Sequence, residues 1–161
     1  MGTPGLADIK KELKHLQNKE LIALILELSK FSTDNKYFLY FQLFGRDNPQ
    51  FLLEWVKEDL EWEFQKSSTS NYHTAKKSAQ GIRKKLNKYL KYTKNKLIQV
   101  ELIEYFCRML HEYGYLHFGH PVIDNLYLMQ IGRIERLLKS LHEDLQFDYQ
   151  PKMDELKSFI L

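Results

Sequence analysis

From Leu6 to Ile160 the large apolar side chains return every three or four residues, and no stretch sustains an alternation of apolar with polar positions. That period lines one face of an α-helix, whereas a half-buried strand needs a period of two. Leu21, Leu24, Ile25 and Leu28 form one such face, and Leu52, Leu53, Val56, Leu60 and Phe64 another. Ala75, Ala79, Ile82, Leu86, Tyr89 and Leu90 fall within one arc, followed by Ile98, Leu102, Phe106, Met109 and Tyr113. The segment after Pro121 carries Ile123, Tyr127, Ile134, Leu137, Leu138 and Leu141, with Leu128 and Ile131 on a second side. A helix apolar on two sides belongs near the middle of its domain. No Asn-Gly or Asp-Gly hairpin signal interrupts the pattern. The chain therefore reads as all-α, with seven to eight helices.

Helix punctuation divides these segments. Asn18, Ser32-Thr33-Asp34 and Asn48-Pro49 are start signals, and Gly45 and Gly114 are stops. Residues 67–71 make a polar break, and Gly119-His120-Pro121 another. Gln150-Pro151 predicts the start of a short last helix, and Gly81 inside a helix predicts close approach by a neighbour. Short connections make neighbours antiparallel, so the expectation is a run of helical hairpins, folded as a compact bundle or a short HEAT-like stack. No repeat of constant period supports an ordinary solenoid motif. Seven Gly and four Pro in 161 residues leave no room for a long linker. This predicts a loose N-terminus over 1–5 and a single helical domain over 6–161. The N-terminus lacks the apolar core of a secretory signal, and no apolar run approaches the roughly 18–20 residues of a membrane span. A cytoplasmic protein without a membrane partner is expected. A single Cys excludes an intramolecular disulfide framework.

Charge is segregated along the chain. Between Glu63 and Glu101 there is no acidic residue, yet that window holds ten of the 24 Lys and Arg. The net charge of +3 thus hides a +10 segment inside a remainder at −7. Helical geometry puts Lys77, Lys84, Lys88 and Lys91 opposite the Ile82/Leu86 face, flanked by Lys76, Arg83 and Lys94. Three roles suit such a face. It can be plain solvated surface, or it can lie against Glu54, Glu58 and Glu61 of the preceding helix. It can also neutralise the phosphates of a nucleic acid along Lys76–Lys96, with Lys77, Arg83, Lys84, Lys88 and Lys91 in contact and Tyr92 and Tyr72 stacking on bases.

Other chemistry is thinly represented. Glu104, Cys107 and His111 share a helix strip, which gives a thiol with a base or a partial metal set joined by His117 or His120. The same residues suit a buried thiol beside a Glu104–Arg108–Glu112 ion-pair ladder. Trp55 and Trp62 lie one heptad apart, either packed on a neighbouring helix or exposed as anchors for a protein partner. Phosphate loops, nucleophile elbows, zinc-protease and EF-hand signatures are all missing, so no catalytic residue and no cofactor is assigned.

The opening Ile9–Lys30 segment, IKKELKHLQNKELIALILELSK, resembles the first helical hairpin of an uncharacterised bacterial all-helical family, in which a Lys/Leu-rich short helix, a cap and an "eLi-lilel" helix follow one another. The part from Ile103 through Tyr113-Gly114 to Leu137 is similar to that family's closing region, where a Tyr-Gly turn joins an aromatic-rich helix to a longer Leu-rich one. The resemblance spans about half the chain and implies a helical fold with no assigned activity or site. Residues and resemblance together lead to one first expectation, a non-enzymatic scaffold or protein-interaction domain. Phosphate-backbone binding is the alternative.

Overall fold

The computed structural model describes residues 2–160. Residues 1 and 161, which the sequence assigns to the loose N-terminus and the domain's end, lie outside the described residues. Eight α-helices and one 3₁₀ turn make up the described residues, with no strand among them. They are α1 (Leu6–Leu13), α2 (Asn18–Lys30), α3 (Thr33–Phe44), α4 (Phe51–Lys66), α5 (Tyr72–Leu90), α6 (Lys96–Glu112), the turn Tyr115–Phe118, α7 (Pro121–Leu138) and α8 (Glu143–Ser158).

The contacts gather into two units, Met1–Leu43 and Phe44–Leu161, where sequence reading drew one domain over 6–161. The first unit contains α1, α2 and nearly all of α3. Its helices are locally well specified. The Gln17 backbone N–H donates to Glu20 Oε2 at 2.8 Å, and the Asn35 backbone N–H donates to Ser32 Oγ at 3.0 Å. Both bonds satisfy amides that a helix start leaves open. Yet α1 and α2 fully bury no side chain, with Leu13 and Leu21 half-buried, and Phe41 is the one buried residue of α3.

The second unit is a helical bundle with a conventional core. Val56, Leu60, Leu86, Leu102, Ile103, Phe106, Leu110, Tyr127 and Ile134 are fully enclosed. Helices α6 and α7 are at its middle, and α4, α5 and α8 pack around them. Asn71 and Asn95 cap α5 and α6 through side-chain oxygens, and His120 Nδ1 accepts from the Val122 N–H to start α7. Gly114, at φ 81°, ends α6 in the left-handed region that a Cβ disfavours.

Three local expectations are corrected. Pro151 lies inside α8 rather than at its start, because Tyr149, Met153 and Leu156 on both sides of it bury into the bundle and offset the lost backbone bond. A Cβ at Gly81 would meet open space, so no helix approaches it closely. Leu128 is 48% exposed, so of the predicted second side of α7 only Ile131 is buried, with Leu126 and Gln130 also buried on that helix.

Candidate functional site

Lys85 joins the basic face of α5 to α4. Lys85 Nζ lies 2.8 Å from both Asp59 Oδ2 and Glu63 Oε1, and Glu63 also holds Lys66 at 2.9 Å. Burial works against the Glu63 charge, but hydrogen bonds and charges from Lys85 and Lys66 outweigh it and hold the carboxyl below its usual range. Burial likewise opposes the Lys85 ammonium, and Asp59 and Glu63 overcome it and raise its pKa. The neutralising carboxylates are thus Asp59 and Glu63. Glu54, Glu58 and Glu61, the residues that sequence reading placed opposite, remain exposed.

The rest of the face keeps its charge. Lys77, Lys84, Lys88 and Lys91 are exposed, and Lys77, Lys84 and Lys91 make no ion pair with any described residue. Arg83 is half-buried, and its Nε has no hydrogen-bond partner among the described residues. The stacking tyrosines fail. Tyr92 is 6% exposed, held in the core near the Tyr89 ring. Tyr72 stacks on the His120 ring at 3.6 Å, and Lys76 Nζ lies over the Tyr72 ring, 5.6 Å from its centre. Neither offers a free aromatic surface for bases.

Beyond Lys91 the positive surface continues into an open cavity of about 820 Å³ between α5, α6 and α7. Lys91, Lys96, Arg133 and Arg136 line it, over an apolar floor of Leu90, Ile103, Met129 and Leu137. Sequence reading missed Arg133 and Arg136. They are 46 or more residues from Asn87 in the chain, and only the packing of α7 on α5 brings them to the basic helix.

Trp55 and Trp62 line a separate groove of about 490 Å³ with Glu58, Asp59, Glu61 and Gln65. Trp55 sits edge-on to Tyr89, with ring centres 5.7 Å apart, while Trp62 is 61% exposed. The pair therefore divides between packing and exposure.

The Glu104–Cys107–His111 strip is a structural element of the core. Cys107 is fully buried, and burial, with the Glu104 charge behind it, pushes its thiol far above the usual range. A thiol held neutral is not a nucleophile at ordinary pH. Glu104 is bound instead by Arg108 at 3.0 Å, and Arg108 reaches across to Glu155 of α8 at 2.9 Å. The His111 ring stacks flat on Phe159 at 3.8 Å. Among the described residues, no group of three or more His, Cys, Asp or Glu side chains is placed to hold a metal ion.

Hydrophobic exposure is concentrated in the first unit. Leu6, Ile9, Ile22, Leu24, Ile25, Leu26, Leu28 and Phe31 are all exposed, from 44% for Ile25 to 84% for Leu6. No helix of the described residues is long and apolar enough to cross a membrane. Neither a protein-family model, nor a curated protein, nor a solved structure matches this chain.

Proposed function

We propose that the chain is a non-catalytic interaction protein that docks through α1 and α2, with a second copy of itself as the occupant. The observation carrying this reading is the set of large apolar side chains that α1, α2 and Phe31 leave exposed. Large exposed apolar patches are rare on monomers and mark association surfaces. Eight large apolar side chains from Leu6 to Phe31 are exposed, and each partner of a stable complex buries about 800 Å².

Charge supports self-association over capture of a strongly charged partner. The first unit carries six Lys against five Asp and Glu, close to balance. On α2 the order is Lys19 and Glu20 at one end, Glu27 and Lys30 at the other. Antiparallel pairing of two α2 helices brings Lys19 toward the partner's Glu27 and Glu20 toward the partner's Lys30. Parallel pairing brings like charges together, which costs association energy.

Sedimentation or light scattering on the full chain tests this. A dimer is expected at micromolar concentration, and Leu24→Glu with Leu28→Glu converts it to monomer with unchanged helicity. Both positions are exposed in the single chain, so the substitution spares the bundle. A monomeric wild type at high concentration removes the proposal.

A second reading is favoured by a different observation, the absence of ion pairs among the described residues at Lys77, Lys84 and Lys91. It assigns the α5 face to the phosphate backbone of a nucleic acid, bound through charge and with little sequence preference.

A further inference from the structure

The geometry points to the cavity between α5, α6 and α7 as a binding site for a phosphate monoester that carries an apolar or aromatic body. This site belongs to the second unit and stands independently of self-association through α1 and α2.

The first argument is uncompensated charge. Four cationic side chains, Lys91, Lys96, Arg133 and Arg136, line the cavity, and no carboxylate does. Two other half-buried cations of the bundle hold carboxylates: Lys85 holds Asp59 and Glu63, and Arg108 holds Glu104 and Glu155. Arg133, like Arg83, holds none among the described residues. Its Nη1 donates only to neutral amides, Asn87 Oδ1 at 2.7 Å and Gln130 Oε1 at 3.1 Å. Burial first, then the charges of Arg136 and Arg83, make its protonated form harder to keep. Two guanidinium groups in one cavity lined by no carboxylate lower their energy by taking an anion, and the planar fork of Arg matches phosphate oxygens bidentately.

The second argument is shape and polarity. The volume of about 820 Å³ suits a ligand of drug-like size rather than a bare ion. Leu90, Ile103, Met129 and Leu137 supply the apolar contact that such a ligand buries. Asn87 and Gln130 are already committed to orienting Arg133, so the recognition of charge falls to the Arg and Lys groups. Four cations favour a dianion over a carboxylate, because a phosphate monoester carries about −1.5 to −2 at neutral pH.

The ligand body can come from a lipid or from a nucleotide, and calorimetry on the full chain separates them. The probes are octyl phosphate, adenosine 5′-monophosphate, inorganic phosphate and octanoate. At least one of the two monoesters is expected to bind at least about tenfold more tightly than inorganic phosphate and octanoate, each charge-assisted contact being worth about that factor. The tighter monoester identifies the source. Arg133→Met with Arg136→Met is expected to abolish binding while thermal unfolding stays at or above the wild-type temperature, since repulsion is relieved. Lys96→Gln on the rim weakens binding severalfold without touching the core, and this holds if the double variant fails to fold. Lys77→Glu with Lys84→Glu, outside the cavity lining, leaves it unchanged, which separates this site from the nucleic-acid reading of α5. Failure of both monoesters to bind overturns the proposal. So does octanoate binding as tightly as octyl phosphate, or binding indifferent to both Arg133/Arg136 and Lys96.

Discussion

Cys107 is where sequence and environment part most sharply at the level of a single residue. In a chain with one thiol four residues before a His, a nucleophile is a fair first thought, but burial decides the chemistry. The folded state keeps this thiol protonated, while in the unfolded chain it ionises near pH 8.5. A raised folded pKa contributes stability that is complete below the unfolded pKa and is lost as pH rises above it. Between pH 8.5 and 10 the wild type is therefore expected to lose stability relative to Cys107→Ala, with a slope approaching about 1.4 kcal/mol per pH unit. The tyrosines do not obscure that window: burial and then Glu61 push Tyr105 up to about 12, and burial raises Tyr127 and Tyr149 as well. Urea titrations of both proteins at pH 7.5 and 9.5 check it. Parallel pH profiles of the two proteins sink the claim.

Between α4 and α5 the deciding contact is the Lys85 bridge to Asp59 and Glu63. All three side chains are between 18% and 35% exposed, so water screens the bridge and its worth is nearer to a surface pair than to a buried one. Lys85→Met is expected to destabilise the bundle by about 1 kcal/mol at pH 7. Glu63 has a lowered folded pKa, so its contribution is present above the unfolded value and disappears as pH falls through the folded one. The gap between wild type and Lys85→Met accordingly closes on acidification to pH 3, as denaturant titrations would register. A gap of the same size at pH 3 assigns the effect to packing of the lysine stem. Helices of this kind were largely legible in the sequence. The apolar arc of α5, from Ala75 to Leu90, is buried residue for residue, and the Gly114 stop is real. The failures share a cause. Pro151 and Gly81 were read by local propensity, which packing overrode at the first and left without a neighbour at the second. Arg133 carries no local signal, because its meaning comes from Asn87 on another helix. The division after Leu43 is equally invisible, since α2 has the composition of a core helix and differs only in having nothing buried.

Across the whole molecule, the two candidate surfaces change each other's energetics. Three exposed lysines of this face without ion pairs among the described residues, Lys77, Lys84 and Lys91, are few for a nucleic-acid protein. Each neutralised phosphate of a single strand contributes about −0.7 to the slope of log K against log salt, so one copy gives a slope of about −2. Its affinity then falls only about twentyfold between 50 and 200 mM salt, against 10³-fold or more for proteins making six to ten phosphate contacts. Self-association through α1 and α2 doubles the basic face without adding a residue, and a strand long enough to reach both copies engages the second at high effective concentration. Fluorescence anisotropy with a single-stranded RNA of about 40 nucleotides is expected to give a slope near −4 for the wild type. The Leu24→Glu/Leu28→Glu monomer, with its α5 face intact, is expected to give about half that slope, and Lys77→Glu/Lys84→Glu to flatten it further. A wild type that shows no binding at 50 mM salt removes α5 as a phosphate surface while leaving self-association standing. A monomeric variant with the full wild-type slope does the reverse: it places the charge on a single copy and separates nucleic-acid binding from the N-terminal helices altogether.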